Sequence, residues 1–251
     1  MLIGAYHLAY CTAVIYFLSK SQGKFTLSFA YLLGLVNIVL YLTHYGLLPF
    51  TELKEHLSNA DIVLTGFGFH YLLLGLVIYT GVLISNILKR GIVDILYNKN
   101  IVLWLACGAI TYIASAELLL HGLLLMTHPV TGLPVEDAPV QAYLMYESAT
   151  RHILKVGFPV LWGLVAAVFL TIGIKRQIKN LRVASLVLLA VTLIKLFSYD
   201  IQDVSKAGKI IAFIILGIVL LVMSFMYQKI KATILYNETG ANEKKENNEN
   251  N

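Results

Sequence analysis

The run Ile101–Thr127, IVLWLACGAITYIASAELLLHGLLLMT, is 27 residues long and carries one charged side chain, Glu117. Spanning the hydrocarbon of a bilayer takes about 20 predominantly apolar residues. The run is therefore a membrane helix, and its reading decides the rest. Six others resemble it, at about 2–18, 27–43, 62–87, 153–174, 183–199 and 210–227. None alternates with the period of two that marks a strand of a membrane barrel. The fold class expected is all-α: a polytopic transmembrane helical bundle of about seven spans.

Composition agrees. The 251 residues are 58% hydrophobic and 13% charged, with mean hydropathy +0.76, whereas a soluble domain carries roughly 25% charged residues. Cys11 and Cys107 sit inside apolar runs and form no CxxC motif, so they read as small packing residues. The pI near 9.0 does not indicate nucleic acid, because the basic residues alternate by loop. Lys20 and Lys24, then Lys89, Arg90 and Lys99, then Lys175, Arg176, Lys179 and Arg182, then Lys229, Lys231, Lys244 and Lys245 follow the odd-numbered runs. Cytoplasmic loops are enriched in Lys and Arg, so the N-terminus is expected outside and the C-terminus in the cytoplasm. The domain expected covers 1–231, followed by a polar cytoplasmic tail, 232–251, which from Asn237 onward lacks aromatics and is expected to be disordered. Met1 opens onto an apolar helix with no charged leader, which suits a chain that continues from an earlier span. The long outer loop after the fourth run holds Pro129, Pro134 and Pro139, which argue against a continuous helix there.

The ionisable residues are distributed unevenly. At 100° per residue, Glu117, His121 and His128 share one helix face. A carboxylate and an imidazole at this spacing can hydrogen-bond, share a proton or hold a metal. If the helix enters at Ile101, Glu117 lies about 24 Å along it, roughly 6 Å below the outer surface of a core of about 30 Å. Placed the same way on the third run, His70 lies about 13 Å deep. All seven histidines, His7, His44, His56, His70, His121, His128 and His152, fall in the outer half. That half reads as a hydrated, polar vestibule. The bland alternative is a polar stripe at the headgroups, affordable because side chains snorkel. Catalytic candidates are Glu117, His121, His70 and His152. Substrate-binding candidates are Arg151, His128, Lys195 and Asp200. Arg151 suits a phosphate or, at i+4, an ion pair with Glu147. Lys195 ends the sixth run ahead of Asp200 and Asp203, as a structural clamp or an ion site. Tyr112, Trp104 and Trp162 read as packing or interfacial anchors. No cofactor is expected. A divalent metal at the outer His/Glu cluster is the weaker alternative, since no spacing matches HExxH.

The stretch 158–231 carries a resemblance. Its elements are Leu161-Trp162-Gly163, Gly173 followed by basic residues, Lys195-Leu196-Phe197 with Asp200, Phe213 to Gly217, and Tyr227-Gln228-Lys229. The chain resembles the C-terminal part of a large bacterial family of polytopic "predicted membrane proteins", catalogued as a domain of unknown function (serial number twenty-three thirty-nine), in a Bacteroidetes-type variant. The resemblance implies a multi-pass protein of the bacterial inner (cytoplasmic) membrane and supplies no activity.

Three functions compete. The first is a helical module that scaffolds or translocates a cell-envelope component. The second is a membrane-embedded enzyme acting on a lipid or glycan at the outer leaflet through the His/Glu pocket. The third is a proton-coupled transporter, weakened by the lack of a convincing internal repeat. With no soluble catalytic domain, the balance leans against an enzyme. Expected partners are the lipid bilayer, further spans of a longer parent chain or a homo-oligomer, and no nucleic acid. A receptor is not indicated, for lack of a loop cysteine pair or a lysine in the middle of the seventh run.

Overall fold

The computed structural model describes residues 2–59, 61, 64, 66–90, 98–131, 137–196 and single positions between 207 and 228. The helices are α1 (Leu2–Ser19), α2 (Lys24–Thr43), α3 (Leu48–Ser58), α4 (Phe67–Lys89), α5 (Lys99–Met126), α6 (Ala138–His152), α7 (Phe158–Lys175) and α8 (Lys179–Lys195). There is no strand among the described residues. Five helical stretches are long and apolar enough to cross a membrane: Leu2–Ser19, Lys24–Ser58, Phe67–Lys89, Asn100–Met126 and Ala138–Lys175. The sixth apolar run forms α8, a helix of 17 residues. The seventh is described only at single helical positions, and Asp200, Asp203 and the tail 232–251 lie outside the described residues.

Two short helices depart from the sequence expectation. α3 follows α2 after a single 3₁₀ turn, Tyr45–Leu47. α6 occupies the end of the loop in which prolines argued against a helix. Pro139 falls in the first turn of α6, where its missing N–H is not needed and its fixed φ suits the helix. The proline starts the helix here instead of breaking it. Both helices are amphipathic, α3 burying Pro49, Leu53 and Leu57 and α6 burying Ala138, Ala142 and Ala149. They pack on each other.

The chain divides into two compact units, Met1–Ile153 and Leu154–Asn251. In the first, α1, α2 and α4 form a close three-helix group. Leu27, Ala30, Tyr31, Ile84 and Ile87 make one part of its core, and Ala5, Leu8, Tyr41, Leu73 and Val77 another. Gly34 permits the close approach of α2 to α4: a Cβ there would stand 2.8 Å from the Ile84 side chain. Inside this group three polar side chains meet. Thr12 and Thr80 hydroxyls are 3.0 Å apart, and the Asn37 amide nitrogen reaches them at 3.5 and 3.4 Å. All three are buried. α5 stands further from α4, and longer side chains bridge that seam.

The second unit holds the α7–α8 hairpin, with Ala166, Leu170, Leu189 and Leu196 at its core. The turn is tight. Gln177 adopts φ 56°, and the Ile178 N–H donates to the Gly173 carbonyl at 2.8 Å. A Cβ on Gly173 would stand 3.0 Å from the backbone nitrogen of Arg182. This gives a packing reason for the glycine followed by basic residues.

Candidate functional site: a His–Glu–His seam between two helices

The seam begins with the register of α4. That helix starts at Phe67, five residues later than the apolar run. His70 is therefore about 4.5 Å from the helix start at 1.5 Å per residue. It is bonded to Glu117: His70 Nε2 lies 2.7 Å from Glu117 Oε1. His70 is 2% exposed and Glu117 21%.

The same carboxyl group serves a second imidazole. His121 Nδ1 is 3.6 Å from Glu117 Oε2 and donates to the Glu117 backbone carbonyl at 2.8 Å. A carbonyl only accepts, so Nδ1 carries the hydrogen. In the neutral ring Nε2 is then the acceptor, and the Tyr71 hydroxyl donates to it at 2.8 Å. His121 is 43% exposed and Tyr71 is exposed as well. On the other side, an ionised Glu117 accepts from His70 Nε2–H. The remaining His70 Nδ1 is buried and has no hydrogen-bond partner among the described residues. Phe67 fills the space between the imidazoles, its ring centroid 6.1 Å from each.

From surface to interior the groups run Tyr71, His121, Glu117, His70, hydrogen-bonded at the two ends and joined in the middle by the 3.6 Å contact of His121 Nδ1 with Glu117 Oε2. Each link is a group that can both accept and release a proton. The start of α4 is anchored by Glu52 of α3, whose Oε1 accepts from the Gly66 N–H at 2.7 Å. A carboxylate there also suits the positive end of the helix dipole. Among the described residues no three His, Cys, Asp or Glu side chains are arranged to hold a metal ion. Tyr71 takes up the outer nitrogen of His121 instead.

The other candidates separate from the seam. Arg151 Nη1 meets Glu147 Oε1 at 3.3 Å, the i+4 ion pair, on the exposed face of α6. His152 and His128 are exposed. Lys195 belongs to the second unit, where its ammonium donates to the Leu154 carbonyl at 2.8 Å. Leu154 lies in a π-helical turn, Ile153–Gly157. Tyr112 donates to the Leu42 carbonyl at 3.0 Å, tying α5 to the end of α2. Cys11 and Cys107 are free and buried.

Sequence reasoning missed Tyr71, Phe67 and Glu52. Phe67, His70 and Tyr71 do fall at i, i+3 and i+4, one face of the first turns of α4. That spacing was the available signal.

A family model described as "Predicted membrane protein (DUF2339)" matches residues 3–230. The match reaches well beyond the segment 158–231 that carried the resemblance. No curated protein and no solved structure matches the chain.

Proposed function

The chain belongs to the family that its residues 3–230 match, and from that membership we propose a multi-pass protein of the bacterial inner membrane that translocates an envelope component in step with protons. The observation that supports this reading is one carboxyl group, Glu117, lying between a buried and a half-exposed imidazole. Glu117 takes up a proton from the half-exposed His121 across the 3.6 Å contact, while His70 Nε2–H holds the carboxylate from the buried side. An ionisable chain inside a membrane bundle is a functional group by default. The family supplies the membrane setting and no activity of its own.

The test is proton entry into liposomes that hold the reconstituted protein and a pH-sensitive dye, under an imposed electrical potential. Entry should exceed that of empty vesicles. It should fall at least about tenfold in Glu117→Gln, since a positioned proton-transfer group contributes about 10²–10⁴ in rate. Entry no faster than in empty vesicles, or unchanged in Glu117→Gln, overturns the proposal.

The Tyr71–His121 bond favours a second reading, an outer-leaflet enzyme. A hydroxyl hydrogen-bonded to an imidazole that a third group orients is the arrangement of an activated nucleophile. Here His121 Nε2 is placed to accept the Tyr71 proton. On this reading Tyr71→Phe abolishes function, whereas proton entry through Glu117 survives it.

A further inference from the structure

We propose that the cleft between α3 and α6 binds an anionic sugar ring. The cleft encloses about 220 Å³ and is lined by Lys54, Leu57, Ser58, Pro139, Tyr143 and Tyr146 among others. The cleft is open to the surface and has room for one substituted six-membered ring.

The lining specifies the ring. Two phenols on α6, one turn apart, border the cleft. An aromatic face carries negative quadrupole charge, which suits the electron-poor C–H face of a pyranose. Tyr143 is 60% exposed, so apolar surface is left for a ligand to cover. Ser58 uses its hydroxyl hydrogen on the Lys54 carbonyl at 3.1 Å, leaving its oxygen to accept from a sugar hydroxyl.

Lys54 specifies the charge. Its Nζ sits 4.6 Å from the centroid of the Tyr146 ring. A cation held over a ring is positioned before any ligand arrives. A carboxylate or phosphate on the sugar then meets a charge that needs little reordering. The floor is firm: the Val130 N–H donates to the Leu57 carbonyl at 3.1 Å, joining the end of α3 to the chain that follows α5.

Saturation-transfer NMR on the full chain in nanodiscs tests this with three probes. Glucuronate offers ring and charge, glucose the ring alone, and inorganic phosphate the charge alone. Glucuronate should give saturable transfer and bind most tightly. Lys54→Gln should weaken it at least about tenfold, the effect of losing one hydrogen bond to a charged group. Tyr143→Ala should weaken glucuronate and glucose but not phosphate, and its exposure makes it a variant that keeps the fold. No saturable glucuronate binding overturns the proposal. So does glucuronate binding equal to that of phosphate and unmoved by Tyr143→Ala. Because Lys54 and Tyr143 make none of the hydrogen bonds of the seam, the proton-entry assay reports separately on Glu117.

Discussion

The Thr12–Asn37–Thr80 node and the His70–Glu117–His121 seam both place polar side chains within an apolar bundle, on opposite terms. The node is neutral, and all three members are buried where α1, α2 and α4 meet closely. The seam is ionisable, lies at one end of the helices and opens to the surface through His121 and Tyr71. A closed neutral cluster selects which helix faces meet, because polar groups left in hydrocarbon seek partners. A seam open at one end can exchange protons, which a closed node cannot. Position along the helix, and not polarity alone, separates a structural cluster from a chemical one.

Moving the carboxyl group from one site to the other should break that contrast if it is wrong. Asn37→Asp puts a carboxyl group into the closed node, and an uncompensated buried charge costs several kcal/mol. The expected result is loss of the monodisperse peak in size-exclusion chromatography, or a large drop in melting temperature. Glu117→Gln, the reverse change, should leave melting nearly as in the parent chain. Equal effects would erase the distinction. Next in size is Glu117→Leu, which removes the acceptor of His70 Nε2. A buried donor without a partner costs about 1–3 kcal/mol, so thermal melting should fall further than for Glu117→Gln. A melt indistinguishable from that of Glu117→Gln would mean the His70 bond adds no stability. Smallest is Arg151→Ala. The Arg151–Glu147 pair is 59% and 40% exposed, and such pairs are worth about 0.3–0.5 kcal/mol. Melting and proton entry should both stay unchanged. A clear loss of proton entry would extend the active region onto α6.

Parts of the seam were legible in advance. Glu117 and His121 share a face because they lie four residues apart on one helix, and helix geometry alone places them. His70 is a candidate from the sequence, but its bond to Glu117 depends on where its helix starts, which the apolar run does not fix. The run begins at Ile62, whereas the helix begins at Phe67 after Gly66. Tyr71 carries no mark in the sequence, because its partner His121 lies fifty residues away on another helix. α6 was missed because proline was read as a breaker and not as a first-turn residue.

The amino-acid sequence alone was enough to identify an all-helical membrane protein. The physical reason is that hydrocarbon leaves backbone groups no partner except within the segment or a closed barrel. Length and apolarity of a run then suffice to call a helix. Only the tertiary structure decided that His70 meets Glu117, that Tyr71 meets His121, and that α3 and α6 close a cleft. Those outcomes depend on how each helix is rotated and which neighbour it faces. A helix that is apolar all round does not write that choice into its own pattern. Packing at residues such as Gly34, and the reach of a few polar side chains across a seam, makes it.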